Sequence, residues 1–402
     1  MNAKARIHGL LKSVRGLNCI VEYWDGDRVS YGDGKSRFTL RIKDRAIVGK
    51  VLADPLVQLP ESYVSGEIEI DGNLQELLRL CYDVDPRSLD RSLLQRIALG
   101  FGAALYKNSL VRAKKNVSHH YDLGNDFFRI WLDERMVYSC AYFKAADDDL
   151  DKAQRQKLEY LCTKLRLEPG HRLLDIGCGW GALALHAAES HGATVLGVTL
   201  SEEQHSACQN NIKQVNLQNR VEVRLNDYRQ LGDETFDRVV SVGMMEHIGR
   251  SHLPEYMEVV ARCLRPGGSG VFQWISKNRQ GNVTPWITKR IFPGMYLPTL
   301  GEVASEMAAA GLHVLDAENL RPHYAMTLDA WTERFERSSE TIGQMYDERF
   351  VRMWRMYLNA ASIAFKYGSL NLWQVTFTQG LSDKTPLTRQ YMYREADYPA
   401  VP

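Results

Sequence analysis

The sequence predicts an α/β protein built on a doubly wound, mostly parallel sheet, with a smaller α+β module ahead of it. Three observations carry that expectation. The apolar run Arg172-Leu173-Leu174-Asp175-Ile176 ends in Gly177-Cys178-Gly179-Trp180-Gly181 and passes into the helical pattern of residues 183–189. Strand, glycine turn and helix in that order open such sheets. Further apolar runs then alternate with helical patterns. Asp175, Thr199, Asp227, Glu246 and Gln273 all fall near the carboxyl ends of these strands, where open α/β sheets hold ligands.

In chain order, residues 1–90 read as a small α+β unit. Period-2 alternation marks strands at 20–24, 28–31 and 38–42, with turns at Asp25-Gly26-Asp27 and Gly32-Asp33-Gly34. A short helix at 46–53, a strand at 67–70 and a helix at 74–82 complete it. The unit carries no cluster of acid, base or nucleophile. A lipid-handling, dimerising or plain packing role all suit it. Residues 91–120 read as a helical basic linker: an amphipathic to apolar helix at 93–110, then Arg112, Lys114 and Lys115. Such a cluster suits either an anionic membrane surface or an ordinary solvated helix end.

Residues 121–402 carry the α/β repeat. Strand two is 193–198, and Ser201-Glu202-Glu203-Gln204 reads as a capping box. Strand three, 221–225, ends at Asn226-Asp227-Tyr228; strand four, 236–242, ends at Gly243-Met244-Met245-Glu246-His247. A helix at 252–264 stops at Arg265-Pro266-Gly267-Gly268 before strand five at 271–275. Residues 276–298 interrupt the repeat with aromatics among basic residues, Trp286-Ile287-Thr288-Lys289-Arg290-Ile291-Phe292. That composition suits a lid over a lipid or a cap over a soluble substrate. A helix at 300–310, a strand at 313–315, a turn at Pro322-His323-Tyr324, two long helices and a strand at 372–377 bring the sheet to seven strands.

Composition excludes several classes. The 402 residues are 45% hydrophobic and 25% charged, with a net charge of +1. That is an ordinary globular composition with no overall field to draw in nucleic acid. The seven cysteines show no C-x-x-C spacing, so reduced thiols in a cytoplasmic compartment are expected, with neither a disulfide frame nor a metal site. The basic N-terminus lacks the apolar stretch of a signal peptide. The longest apolar run, 97–106, is too short to span a bilayer.

Charge decides which cofactor suits the glycine turn. The segment Gly177-Cys178-Gly179-Trp180-Gly181-Ala182 also satisfies the dinucleotide pattern G-x-G-x-x-A. A pyrophosphate would meet Asp175, and like charge repels it. A nicotinamide dinucleotide also wants an acid about 20 residues on, ending the second strand. Here Val195-Leu196-Gly197-Val198 runs into Thr199-Leu200-Ser201, with no carboxylate before Glu202. S-adenosylmethionine (SAM) carries an ammonium and a sulfonium and no phosphate, so a carboxylate beside it is favourable. The residues favour SAM.

From about Asn116 to Gly380 the chain resembles the cyclopropane-fatty-acyl-phospholipid synthases, a family that includes the mycolic acid cyclopropane synthases. The matching segments are His119-His120-Tyr121-Asp122, Tyr138-Ser139-Cys140-Ala141-Tyr142-Phe143, Leu174-Asp175-Ile176-Gly177-Cys178-Gly179-Trp180-Gly181, Gly197-Val198-Thr199-Leu200-Ser201, Gly243-Met244-Met245-Glu246-His247, Ile291-Phe292-Pro293-Gly294 and Pro322-His323-Tyr324. The resemblance implies a class I SAM-methyltransferase fold. It implies methylene transfer from SAM to the cis double bond of a phospholipid's unsaturated acyl chain, through a carbocation that a bound bicarbonate ion deprotonates. It further implies a homodimer that works at the inner face of the membrane as a peripheral, cytoplasmic enzyme, without nucleic acid.

Carried over by position, the bicarbonate site would comprise Cys140, Glu246, the backbone at Gly243, and Tyr324. SAM would meet Tyr138, Ser139, the turn from Leu173 through Asp175, Gly177, Cys178 and Gly179 to Gly181, then Thr199, Leu200, Gln204, Asp227 and Tyr228, with Trp180 as a wall. One departure stands out. Many members carry histidine where this chain has Gln273. Glutamine can orient bicarbonate by a hydrogen bond but cannot relay a proton near neutral pH. A methyl-branched or methylene product therefore stays open. Two rivals are a methyltransferase for a small soluble substrate and a non-catalytic lipid-binding protein on the same fold.

Overall fold

The computed structural model describes residues 3–12, 14, 16–83, 123–281, 283–382 and 384–393. The helix expected at 93–110, Arg112, Lys114, Lys115 and the His119-His120-Tyr121-Asp122 segment lie outside the described residues.

The N-terminal unit comprises α1 (Ala3–Lys12), β1 (Cys19–Glu22), β2 (Arg28–Tyr31), β3 (Phe38–Ile42), α2 (Arg45–Ala53), α3 (Pro55–Val64), β4 (Ile68–Gly72) and α4 (Leu74–Asp83). Its sheet runs β2-β1-β3-β4. Alternation works as the sequence suggests: Cys19 and Val21, then Phe38, Leu40 and Ile42, turn inward. Helix α3 has no counterpart in the expected elements. Pro60 lies inside it and argues against a helix from sequence, yet Tyr63 and Val64 are buried at its end. Burial of those side chains outweighs the local cost of the proline.

The second sheet has seven strands in the order β10-β11-β9-β8-β5-β6-β7. Helices α5 (Asn125–Trp131) and α6 (Leu150–Leu165) precede it. The repeat then follows as β5 (Arg172–Ile176), α7 (Ala182–His191), β6 (Thr194–Thr199), α8 (Glu202–Gln214), β7 (Val221–Leu225), β8 (Phe236–Val242), α9 (Leu253–Cys263) and β9 (Leu264–Lys277). After α10 (Pro285–Arg290), α11 (Leu300–Ala309) and β10 (Leu312–Asn319) come α12 (Arg321–Arg337), α13 (Ser339–Met345), α14 (Glu348–Lys366), β11 (Leu370–Gln379) and α15 (Gln390–Tyr393). Strands β5 to β9 pair in parallel, and β11 runs antiparallel between β9 and β10. The order reverses between β5 and β8, so their carboxyl ends diverge and leave a crevice.

Three expectations need correction. Pro322-His323-Tyr324 is the first turn of α12, not a turn between elements; a proline there gives up an N–H that has no helical partner anyway. Strand five begins at Leu264, directly where α9 ends, and a register shift between the Phe236 and Arg238 pairings absorbs Arg265-Pro266-Gly267-Gly268. Ser201 caps α8 by accepting from the Gln204 N–H at 3.2 Å, but the box does not close. The Gln204 carboxamide oxygen instead accepts the Thr199 hydroxyl at 2.8 Å.

The N-terminal unit sits against the second sheet's helices. Arg352 of α14 donates to the carbonyls of Tyr63 at 2.6 Å and Ile68 at 2.9 Å. Arg290 of α10 makes two 2.8 Å bonds to the Glu61 carboxylate. A knot of aromatics, Phe127, Phe128, Trp131, Trp331 and Trp354, joins α5, α12 and α14 in a shared core.

Candidate active site

The glycine turn after β5 wraps the rim of the crevice. The N–H groups of Gly177 and Cys178 both donate to the Val198 carbonyl, at 2.9 and 3.1 Å, and tie the turn to the end of β6. Gly177 and Gly181 have φ of +82° and +85°, the left-handed region that glycine enters without strain. A Cβ at Gly181 would lie 2.2 Å from Cys208 Sγ, so the turn closes directly onto α8. The Trp180 indole N–H donates to Asn125 Oδ1 at 2.6 Å and fixes one wall.

A cavity opens there. Its lining includes Tyr138, Ser139, Asp175, Gly177, Cys178, Gly179, Trp180, Thr199, Leu200, Gln204, Tyr228 and Gly243. The expected SAM-contacting residues are thus brought together except Leu173, which is buried within β5, Gly181, which caps α7, and Asp227. The Asp227 carboxylate is committed to the Arg229 guanidinium by two 2.8 Å bonds and to the Arg229 N–H at 3.0 Å. Lys157, Met244 and His247 also line the cavity and escaped the reading of the sequence.

Lys157 is the informative omission. It lies in the middle of α6, 2% exposed, and donates to Ser139 Oγ at 3.1 Å. Burial pushes its ammonium down to about 8, against the pull of Asp133, Cys140 and Asp175. Burial pushes Asp175 up to about 7, and Lys157 opposes that rise. Asp175 Oδ2 has no hydrogen-bond partner among the described residues. Burial pushes His247 down to about 4, so it is neutral at pH 7. The cavity therefore offers one incompletely satisfied carboxylate beside a lysine whose charge burial disfavours, an arrangement that can take a cationic ligand at Asp175.

The residues expected to hold bicarbonate fall near the ends of β8 and β9, on the segment ahead of α6, and on α12. The Gly243 N–H donates to the Gln273 carbonyl at 2.8 Å. Glu246 Oε1 accepts the Ile275 N–H at 2.6 Å, while Oε2 is buried without a hydrogen-bond partner among the described residues. Burial pushes this carboxyl up to about 7, and the Ile275 N–H opposes the rise. Cys140 is fully buried, which pushes its thiol well above the usual range; its Sγ donates to the Ala141 carbonyl at 3.2 Å. Its segment is held to α12, for the Ala141 N–H donates to Thr327 Oγ1 at 3.0 Å and the Phe143 N–H to His323 Nδ1 at 3.0 Å. Tyr324, from the same helix, packs its ring 4.7 Å from Phe365. The Gln273 side chain is tied sideways: its Oε1 accepts from Gln374 Nε2 at 2.7 Å, and Gln374 Oε1 accepts from Lys164 at 2.8 Å. Gly243 lines the cavity as well as bonding to Gln273. Cys140, Glu246, Gln273 and Tyr324 do not line the cavity at the glycine turn.

A glycine cradle on β5, an orphaned buried carboxylate and a crevice at the reversal of strand order fit SAM and define a SAM-dependent methyltransferase of class I. Known proteins narrow this. The profile of the mycolic acid cyclopropane synthetase family matches residues 108–375, and the chain belongs to that family. Residues 7–92 match a domain family of unknown function. The cyclopropane-fatty-acyl-phospholipid synthase of Escherichia coli K12 is 40% identical over 363 residues, 89% of this chain and 92% of that protein. A protein of Pseudomonas putida described as a probable fatty acid methyltransferase is 35% identical over 387 residues, 93% of this chain and 96% of that one. The crystal structure of mycolic acid cyclopropane synthase CmaA1 complexed with SAH and CTAB superimposes with a TM-score of 0.62 at 33% identity, covering 66% of this chain and 98% of that one.

Proposed function

We propose that this enzyme converts the cis double bond of a phospholipid's unsaturated acyl chain into a cyclopropane ring. The observation that carries the proposal is Glu246 Oε2, a buried carboxyl oxygen without a hydrogen-bond partner among the described residues, on a group pushed up to about 7. Ring closure requires a proton to leave a methyl group, and a buried carboxyl free at one oxygen can seat the small base that takes it.

SAM supplies an electrophilic methyl on positively charged sulfur, and bicarbonate supplies a small proton acceptor. The alkene forms a bond to that methyl as the S–CH3 bond breaks, leaving a carbocation on the chain. Loss of a proton from the new methyl closes the ring. Asp175 pairs with the cationic end of the donor, and Tyr138 and Trp180 wall the donor off from water. Glu246, held by Ile275 through Oε1, presents Oε2 to bicarbonate; the Cys140 thiol stays protonated and would turn its single S–H from the Ala141 carbonyl to the ion as a weak donor. Tyr324 presents its ring to the cation, a favourable electrostatic contact.

The N-terminal unit, residues 1–90 ahead of a linker at 91–120 and the catalytic domain at 121–402, serves as an accessory that anchors the lid. Trp286 of α10 is buried, and Arg290 and Lys289 both reach Glu61 of that unit. We place the enzyme at the inner face of the membrane as a peripheral, cytoplasmic homodimer; no helix among the described residues is long and apolar enough to cross a membrane. A methyl-branched or methylene product is the second reading, favoured by Gln273 being bound to Gln374.

The test is incubation with labelled SAM and unsaturated phospholipid vesicles, with and without bicarbonate, followed by mass spectrometry of the released fatty acids. A ring that depends on bicarbonate supports the proposal. A branched chain selects the second reading, and transfer only to water-soluble acceptors overturns both.

A further inference from the structure

We propose that Glu159, Cys162, His186 and His191 form a binding site for a thiophilic divalent cation, with zinc the best match. The inference is independent of the lipid chemistry, because none of these residues lines the cavity.

The side chains come from two packed helices. Glu159 and Cys162 lie three residues apart in α6 and share a face; His186 lies in α7 and His191 is its last residue. The donor atoms of Cys162, His186 and His191 all lie within 4.8 Å of one another. Glu159 Oε2 stands 3.0 Å from His186 Nε2 and 3.1 Å from His191 Nε2. Four donors of three chemical kinds thus converge where the helices meet. A tetrahedral zinc ion, with bonds of about 2.0–2.3 Å, holds its donors about 3.3–3.7 Å apart. The carboxylate–imidazole spacings are already shorter than that, and the thiol reaches the shell through side-chain rotation.

The donor set has the right chemistry. A thiolate, two neutral imidazoles and a carboxylate match zinc's borderline-soft preference and would discriminate against magnesium or calcium, which take oxygen shells. Cys162 is fully buried, so bulk water is kept from the sulfur, while the side chains of His186 and His191 are 13% and 12% exposed and leave an entry path. On binding, the Cys162 thiol releases its proton to solvent and coordinates as thiolate. The carboxylate accepts both imidazole N–H groups and so stands between the two rings.

The site would act as a staple. Helix α6 sends Lys157 and Leu158 into the SAM cavity, and α7 sends Ala182 and Leu183. A cation gripping both helices would hold the cradle's supports together.

The test uses full-length protein, stripped with chelator and titrated with Co2+ and then Zn2+. The expected result is one equivalent of Co2+ with intense tetrahedral visible bands and a near-ultraviolet thiolate-to-cobalt band, both bleached by one equivalent of Zn2+. Cys162→Ser should lose the thiolate band, and His191→Gln should weaken Co2+ binding at least about tenfold. Zinc should raise the melting temperature of the wild-type protein and not of Cys162→Ser. A weak octahedral cobalt spectrum of the wild-type protein, or a thiolate band that persists in Cys162→Ser, overturns the proposal. The wild-type spectrum decides even if a variant fails to fold.

Discussion

Glu246 Oε1 accepts the backbone N–H of Ile275 at 2.6 Å, so one oxygen of a buried carboxyl is spent on strand β9 while the other has no hydrogen-bond partner among the described residues. Replacement by glutamine keeps the accepting oxygen and removes the titratable group. Glu246→Gln should therefore fold and bind SAM with unchanged affinity. Turnover should fall about 10²–10⁴-fold, the usual weight of a positioned acid–base group. Calorimetry and the vesicle assay check the two halves. Unaltered turnover would remove Glu246 from the chemistry.

Asp175 faces the cavity with one oxygen unpartnered, and burial holds it up at about 7. A cationic ligand favours the ionised form. Below pH 7 the free enzyme is mostly protonated at this position, so binding must expel a proton. SAM affinity should then rise with pH up to about 7, by as much as about tenfold per unit, and flatten above. Asp175→Asn should weaken binding roughly 10–100-fold at pH 8, the weight of a charge-assisted contact, and should flatten the pH dependence. Isothermal titration calorimetry from pH 5.5 to 8.5 reads both; a pH-independent wild-type affinity would refute the assignment.

Gly181 combines a positive φ with a close neighbour, Cys208 Sγ, at 2.2 Å from where a Cβ would stand. Gly181→Ala should cost about 2–4 kcal/mol from backbone strain and overpacking together. Adding Cys208→Ala should relieve the overpacking and leave the backbone cost of about 1–2 kcal/mol. Denaturant unfolding of the two variants and of Cys208→Ala alone checks the cycle.

Gln273 Oε1 is the acceptor for Gln374 Nε2 inside the sheet. Truncating it to alanine strands that donor, which should destabilise the protein by about 1–3 kcal/mol. If Gln273 also orients bicarbonate, the concentration of bicarbonate needed for half-maximal activity should rise about tenfold, the equivalent of one neutral hydrogen bond. Gln273→Ala with unchanged activity and unchanged bicarbonate response would assign the residue to packing alone.

Much of this site was legible because its signals are local. Gly177, Gly179 and Gly181 announce a tight turn by spacing, and Asp175 beside them selects a cation over a phosphate by charge alone. Lys157 was not legible. A lysine in a helix reads as a solvated residue, and only the packing of α6 under the cavity makes it a buried neighbour of Ser139. Asp227 stands between Asn226 and Tyr228, both of which line the cavity, and its tie to Arg229 two residues on is likewise a meeting that only the fold reveals. Pro322 signalled a break, and the break it marks is the start of α12.

By itself the amino-acid order determined the strand–turn–helix alternation, the seven-stranded sheet and the family, because hydrophobic period and glycine placement act over a few residues. Only the folded chain decided which polar side chains meet. The Gln273–Gln374 bond spans 101 residues and the Glu246–Ile275 bond 29. The approach of Glu159 and Cys162 to His186 and His191 depends on how two helices pack. Such meetings arise from burial summed over whole layers, and no local pattern encodes them.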